Sequence, residues 1–257
     1  AASDVYKRQV KGEIEFDHVS FAYPEAGENV LTDISFKAKK GQTIAVIGST
    51  GSGKSTLINL IPRYYDVTKG SVKVDGVDVR DMTQKELRDK LGYVPQKGVL
   101  FSGTIDSNIR YGKPEITDAQ VKEAAEVAQA TEFIDTKPEK YESPVSQGGT
   151  NVSGGQKQRL SIARAIAKDP EIFIFDDSFS ALDFKTDSQL RKALKEYTKD
   201  ATTVIVAQRI STILGADQII VLDDGHMAGI GTHKELMANC EVYQQIARSQ
   251  LSEEELA

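Results

Sequence analysis

Residues 48–56, Gly-Ser-Thr-Gly-Ser-Gly-Lys-Ser-Thr, have the types and spacing of a phosphate-binding loop after the apolar run 43–47. Glycines let such a loop curl until successive N–H groups converge on phosphate oxygens. Lys54 would then reach the β- and γ-phosphates, and the Ser55 hydroxyl would ligate Mg²⁺. The segment therefore predicts a site for a nucleoside triphosphate and Mg²⁺, formed by Ser49, Thr50, Gly51, Ser52, Gly53, Lys54, Ser55 and Thr56.

Two adjacent acids follow the apolar run 172–175, which is typical of a buried strand. In phosphate-loop proteins an Asp at the end of such a strand holds Mg²⁺, which predicts Asp176 as a metal ligand opposite Ser55. An Asp at this position is just as often a turn or cap residue, so both interpretations stay open for Asp176 alone. Asp177 stands where a second acid would orient or deprotonate an attacking water.

Residues 153–156, Ser-Gly-Gly-Gln, fit the start of a helix in which the side chains of Ser153 and Gln156 form a capping box. The capping box leaves Gly154 and Gly155 unexplained, because each glycine costs a helix roughly 1 kcal/mol relative to alanine. Two glycines would let a phosphate approach the bare end of the helix. Since the chain already has one phosphate loop, this segment is predicted to serve the nucleotide of another subunit.

The elements around these residues predict an α/β fold. Alternating or apolar runs predict strands at 13–19, 34–38, 43–47, 71–74, 77–79, 172–175, 203–206 and 218–222. Asp75-Gly76, between the runs 71–74 and 77–79, predicts a hairpin turn. Helices are expected at 54–61, at 117–129, from 153, at 184–197 and in two short C-terminal segments. The expected fold is a phosphate-loop NTPase core with a mainly parallel sheet, an antiparallel β lobe and an inserted helical subdomain at about 97–167. Residues 1–9 fit no element and are interpreted as a linker or extraneous segment, with a single domain over 10–257.

Composition excludes several classes of protein. The net charge of −6 argues against a nucleic-acid surface, which would favour a basic balance. No run of 18 apolar residues is present, so this sequence predicts no membrane span. The single Cys240 excludes an internal disulfide and suits a reducing compartment. The cytoplasm is therefore the expected location.

Taken together, the motifs of residues 10–251 resemble the nucleotide-binding domain of an ABC transporter of the exporter type. The resemblance rests on the phosphate loop, Tyr93-Val-Pro-Gln96, Val152-Ser-Gly-Gly-Gln-Lys-Gln-Arg159, the strand ending in Asp176-Asp177, and Ser180-Ala-Leu-Asp183. It implies that Tyr23 stacks on adenine and that Gln96 is a ligand of Mg²⁺ through which the site senses Mg²⁺ and the membrane domain. It also implies that Ser180 to Asp183 communicates across a dimer, and that Ser146 to Thr150 lies at the membrane-domain contact.

Two positions depart from the family pattern: Asp177 replaces the usual catalytic glutamate, and Gln208 replaces a histidine that contacts the γ-phosphate. The carboxylate of an Asp lies roughly 1.5 Å further from the same water, and Gln cannot carry the charge of an imidazolium. Asp177, Gln208 and Gln96 remain the candidate catalytic residues. Both changes in one site favour a low-activity, degenerate half of a heterodimeric exporter, although neutral drift at tolerant positions stays open.

The implied partners are a second ABC ATP-binding domain, expected to be a different subunit, and a transmembrane domain of the same transporter. The chain would then act at the cytoplasmic face of the cell membrane, which it reaches only through that transmembrane domain. Three alternatives remain: a homodimeric exporter with slow turnover, a soluble ABC ATPase, and a regulatory ATP-binding module without turnover. A GTPase is disfavoured, because the sequence has no Asn-Lys-x-Asp segment to read guanine.

Overall fold

The computed structural model describes residues 11–24 and 26–252, and the chain divides into two compact units. Of the described residues, 11–24, 26–91 and 200–252 belong to the first unit, and Gly92–Lys199 forms the second. The linker predicted at residues 1–9 lies outside the described residues. Across the described residues, no helix has both the length and the apolar character needed to cross a bilayer.

The first unit contains an antiparallel sheet of β1 (Ile14–Phe21), β2 (Leu31–Ala38), β4 (Lys69–Val74) and β5 (Val77–Asp78), in the order β2-β1-β4-β5. Phe16 and Phe36 face each other across β1 and β2, with stacked rings 4.6 Å apart. Asp75 and Gly76 join β4 to β5, and both have the positive φ that a tight hairpin turn requires. The predicted hairpin and antiparallel lobe are confirmed.

A second set of strands in the same unit is mainly parallel. The strand β3 (Thr43–Gly48) lies between β10 (Thr202–Val206) and β11 (Gln218–Asp223), parallel to both, while β12 (His226–Gly231) runs antiparallel to β11. The residues of β3 from Ile44 to Ile47 are all buried, as expected for a strand covered on both faces. The carboxyl ends of β3, β10 and β11 consequently meet at one edge.

Four helices complete the described part of the first unit: α1 (Lys54–Asn59), α2 (Gln84–Asp89), α8 (His233–Asn239) and α9 (Glu241–Gln250). The helix predicted at 54–61 is shorter than expected. After Asn59 the backbone turns through bonds from Leu60 to Leu57 and from Ile61 to Ile58, which tighten the last turn before Pro62.

The second unit contains strands β7 (Gly103–Thr104), β8 (Pro144–Val145) and β9 (Ile172–Asp176), and all of β6 (Leu91–Val94) except its first residue. β9 and β6 are neighbours in a sheet. Its helices are α3 (Ile105–Ile109), α4 (Asp118–Val127), α5 (Thr131–Asp135), α6 (Gly154–Ala167) and α7 (Phe184–Tyr197). α3 and α4 pack against α6. The helix predicted to reach Gln129 ends at Val127, because Gln129 adopts a left-handed φ of 57°.

Candidate functional site

The phosphate loop lies between the end of β3 and the start of α1. Two of its glycines are required by packing within the first unit. A Cβ at Gly48 would collide with the carbonyl oxygen of Leu222, and Gly53 combines a φ of +102° with a Cβ position 2.8 Å from Leu31 Cδ2. The sequence therefore folds a close-fitting loop at the carboxyl edge of the parallel strands, where ligands of open α/β sheets bind.

The side chains of the loop are arranged around its own backbone. Lys54 Nζ donates hydrogen bonds to the carbonyl oxygens of Gly48, at 2.8 Å, and of Ser49, at 2.7 Å. Ser52 Oγ is buried and makes no hydrogen bond to any described residue. A buried hydroxyl without a partner costs free energy, so it marks a place where a polar ligand would be favourable. The ammonium, the hydroxyl and the glycine backbone fit a bound phosphate chain.

The side chain of Tyr23 is hydrogen-bonded to the helix that follows the loop. Its hydroxyl lies 2.8 Å from Thr56 Oγ1, and Thr56 belongs to the first turn of α1. The ring packs edge-on against Phe21 at 4.9 Å and against Tyr65 at 5.1 Å. The structure thus brings together the predicted base-stacking residue and the predicted phosphate loop. Sequence reasoning missed Tyr65, because an aromatic residue without a motif around it carries no signal.

Gln208 lies two residues beyond β10, at the same edge of the parallel strands. The backbone N–H of Ala207 donates to the carbonyl oxygen of Val46 at 3.2 Å, which carries the pairing with β3 just past the end of β10. Gln208 itself is exposed and lies outside regular secondary structure. The first unit therefore places Tyr23, the phosphate loop and the strand leading to Gln208 around one edge.

The second unit brings Gln96 and Asp177 together. Gln96 Nε2 donates to Asp177 Oδ2 at 3.0 Å, and the side chain of Asp177 is largely buried, with 8% of the residue exposed. Asp177 has a φ of 47°, a left-handed conformation that Asp tolerates better than most residues. Tyr93, which the sequence did not single out as a site residue, makes a longer contact of 3.5 Å from its hydroxyl to Asp176 Oδ2.

The segment after Asp177 is hydrogen-bonded to the backbone of that residue. Ser180 Oγ donates to the carbonyl oxygen of Asp177 at 3.0 Å. Asp183 caps α7 by accepting from the backbone N–H of Thr186 at 3.0 Å, and this bond, together with one from the Thr186 hydroxyl, lowers the pKa of Asp183. Residues 177–183 thus form a turn with fixed ends, which links Asp177 to the start of α7.

Ser153 and Gln156 form the capping box that the sequence predicted. The N–H of Gln156 donates to Ser153 Oγ at 3.2 Å, and the N–H of Ser153 donates to Gln156 Oε1 at 3.1 Å. A Cβ at Gly154 would meet no atom within 4 Å, and one at Gly155 would make only ordinary contacts, the nearest 3.6 Å from the Ala181 carbonyl oxygen. Packing against the described part of the chain therefore does not require glycine at either position.

The predicted Mg²⁺ ligands have suitable chemistry. Ser55 belongs to α1 in the first unit, whereas Gln96 and Asp176 belong to the second unit. A hydroxyl, an amide oxygen and one carboxylate are the hard oxygen donors that Mg²⁺ prefers, with phosphates and water completing its shell. The donor set fits the ion, and its assignment stays a prediction.

Comparison with known proteins identifies the family. A model of the ABC transporter family matches residues 31–180. A multidrug export ATP-binding/permease protein of Bacillus subtilis, YgaD, is 48% identical over 229 residues, which are 89% of this chain and 40% of that protein. A Staphylococcus aureus protein of the same description is 47% identical over 92% of this chain and 41% of its own length.

Structural similarity agrees with these matches. A bacterial Atm1-family ABC exporter, solved with ATP bound, superimposes with a TM-score of 0.90 at 38% identity. The match covers 95% of this chain and 43% of the exporter chain, so this chain spans well under half of the relatives it resembles. The predicted α/β phosphate-loop fold is confirmed. The chain belongs to the ABC transporter family and has the fold of an exporter's ATP-binding domain.

Proposed function

We propose that this chain binds ATP with Mg²⁺, pairs with a second ATP-binding domain, and drives export through a membrane-spanning part outside this sequence. The names of the relatives support this proposal, because they join an ATP-binding part to a permease. The chain would then work at the cytoplasmic face of the membrane.

The first unit would bind the nucleotide itself. The Tyr23 ring would stack on adenine, and the loop N–H groups would hold the phosphates. Lys54 would exchange its hydrogen bonds to the Gly48 and Ser49 carbonyls for bonds to phosphate oxygens, which are stronger because both partners are charged. Bound Mg²⁺ would neutralise phosphate charge, with Ser55, Gln96 and Asp176 as its protein ligands.

The finer proposal is that this chain's own ATP site has low activity. The observation that carries it is the pair of divergent residues, Asp177 and Gln208. Asp177 has a short side chain whose Oδ2 already accepts from Gln96 at 3.0 Å, so its reach toward a water is limited. General-base assistance typically contributes about 10²–10⁴ in rate and depends on hydrogen-bond geometry. Contacts to bound phosphate do not depend on Asp177, so ATP binding would persist.

The start of α6 would complete a second, hydrolytic site on the partner. No described residue of this chain sterically requires glycine at position 154, although a glycine there lowers helix stability. A phosphate approaching the N–H groups in the first turn of α6 would explain why glycine stands at this position. This arrangement makes the proposed partner a different subunit, one whose own acid and histidine support hydrolysis.

The test uses the complete transporter that contains this chain, assembled with its partner. Asp177→Asn keeps the shape of the side chain and its acceptor for Gln96, and should lower total ATPase less than about twofold. Radiolabelled ATP should stay at this chain's site through many turnovers. Asp200→Asn, which neutralises an exposed acid, is the control for charge. A loss of ATPase as large as that from removing the partner's catalytic acid would refute the low-activity site.

A further inference from the structure

The backbone that carries Gln208 is held at both of its flanks. Upstream, Ala207 is 3% exposed and donates its N–H to Val46 in β3. Downstream, Ile210 is fully buried and begins a short 3-10 turn, Ile210–Thr212. Only Gln208 and Arg209 between them are exposed. The orientation of Gln208 therefore depends on how this short stretch of backbone is fixed.

A side chain from α9 fixes the backbone around Gln208. Gln250 Nε2 donates to the carbonyl oxygen of Gln208 at 2.8 Å, and Gln250 Oε1 accepts from the N–H of Ile210, also at 2.8 Å. One side-chain amide thus pairs with a carbonyl and an N–H two residues apart, as a neighbouring strand would. Arg209, at the start of the 3-10 turn, makes no side-chain capping bond, so Gln250 supplies that cap from a different helix.

The helix that presents Gln250 is anchored to the same core as the segment it holds. Tyr243 and Ala247 of α9 are fully buried and share one hydrophobic cluster with Ala207 and Ile210. Tyr243 also bonds His233 Nδ1 through its hydroxyl at 2.8 Å, which joins α9 to α8. Gln250 is consequently carried by a fixed element, and its amide transmits that position to the backbone of Gln208.

We propose that Gln250 is a positioning residue that holds Gln208 in place for contact with the γ-phosphate. The inference rests on the proposed function and on the family resemblance, which implies that the residue at position 208 contacts the γ-phosphate. A functional side chain must be held within about 0.5 Å of its productive position by surrounding bonds, and Gln250 supplies two such bonds. The proposed contact involves the γ-phosphate alone, which ADP lacks. Loss of the two Gln250 bonds should therefore weaken binding of ATP and leave binding of ADP nearly unchanged.

The test compares nucleotide affinities of the 257-residue chain by calorimetry, using ADP and a non-hydrolysable ATP analogue. Gln250→Ala should weaken binding of the analogue about three- to tenfold, and binding of ADP less than about twofold. Gln245→Ala is the matched control, because Gln245 lies on the same helix and, among residues 11–24 and 26–252, its side chain bonds only that of Glu241. It should leave both affinities unchanged.

Amide hydrogen exchange gives a second readout. The N–H of Ile210 should exchange faster in Gln250→Ala and at the wild-type rate in Gln245→Ala, with Tyr243 and Ala247 still protected if α9 is folded. Gln250→Glu keeps an acceptor for Ile210 but places a carboxylate against the Gln208 carbonyl, so it should protect Ile210 and still weaken analogue binding.

The outcomes separate the two proposals. Equal analogue affinity in the wild type and Gln250→Ala, or equal losses for the analogue and ADP, would overturn the role of Gln250 and leave the ATP site standing. A wild-type chain that bound neither nucleotide would refute the proposed function, and the positioning role with it.

Discussion

At the scale of single residues, the nucleotide site is organised by side chains that bond to nearby backbone and to each other. Lys54 bonds two carbonyls of its own loop, and Tyr23 bonds Thr56. The bond from Tyr23 to Thr56 holds the ring of Tyr23 next to the phosphate loop. Binding then orders fewer groups, which favours affinity.

Substitutions at Lys54 and Tyr23 should separate phosphate binding from base binding. Lys54→Ala removes a charge-assisted bond and should weaken ATP binding about ten- to hundredfold. Tyr23→Ala should weaken ATP binding less and leave the affinity for inorganic triphosphate unchanged, because only the stacked base is lost. Tyr23→Phe, which loses only the bond to Thr56, should lie between Tyr23→Ala and the wild type.

Calorimetric titration with ATP and with inorganic triphosphate measures both effects. Unchanged ATP affinity in Lys54→Ala would refute the phosphate-loop assignment. A loss of triphosphate affinity in Tyr23→Ala would show that Tyr23 acts on the loop through α1 and not on the base.

Local patterns in the sequence found the residues whose partners are close in the chain. The loop and the capping box of Ser153 with Gln156 were predicted because their geometry follows from spacing alone. The bond from Gln96 to Asp177 spans 81 positions, and that from Gln250 to Gln208 spans 42. Such contacts depend on how distant elements pack, which a single sequence does not encode in any short motif.

At the scale of elements, the sequence predicted long periodic segments better than short ones. The hairpin at Asp75 and Gly76 was predicted because only certain residues tolerate its backbone. The short helices α2 and α3 were missed, although Thr83 caps α2 through a box with Glu86. Their apolar faces are too short to give a periodic signal.

The start of α6 shows an element in which stability and the proposed function conflict. Gly154→Ala adds a Cβ that meets no atom within 4 Å and should stabilise the folded chain by up to about 1 kcal/mol. In the assembled transporter the same methyl group would crowd the partner's nucleotide, so ATPase should fall. Gly215→Ala also adds a Cβ that meets no described atom within 4 Å, and is the control for adding a methyl group away from α6.

Thermal denaturation of this chain and ATPase of the complex measure the two effects. The prediction fails if Gly154→Ala lowers ATP affinity of the isolated chain, because α6 would then contribute to this chain's own site.

The packing of α9 should appear as a pH dependence of stability. Burial raises the pKa of Tyr243 to about 12, above the ordinary value of about 10, because the neutral phenol is favoured in the core. Its stabilising contribution is therefore complete below pH 10 and is lost as the pH rises toward 12. This group alone would lower the free energy of unfolding by roughly 3 kcal/mol at most across that window.

Tyr243→Phe tests this directly. The variant loses the hydroxyl bond to His233 and should be about 1 kcal/mol less stable at pH 7. Its stability should then fall less steeply than that of the wild type between pH 10 and 12. Burial also raises the pKa of Tyr197 to about 12, so the stability of the variant should still fall somewhat with pH in this range. Urea denaturation at several pH values measures the free energy of unfolding of both proteins. Parallel curves of this free energy against pH for the variant and the wild type would contradict the role of Tyr243.

At the scale of the whole molecule, the chain has two compact units, and each contains some of the predicted site residues. The phosphate loop, Tyr23 and Gln208 belong to the first unit, and Gln96, Asp176, Asp177 and the start of α6 belong to the second. The family match explains why the sequence predicted the fold class, since the motifs of both units are specific in combination. The partner in the proposed function would be encoded by another sequence, so no motif of this chain predicts it.

The isolated chain should consequently bind ATP as a monomer and hydrolyse it slowly. Closing two copies around nucleotide must offset the freedom that each copy loses, and the membrane parts of a transporter would supply a high effective concentration. The specific ATPase rate of the isolated chain should therefore rise with protein concentration and remain low at micromolar levels. Sedimentation in the presence of ATP should find mainly monomer. Fast turnover that is independent of concentration would show that one chain contains a complete hydrolytic site, and would contradict the need for a partner's helix end.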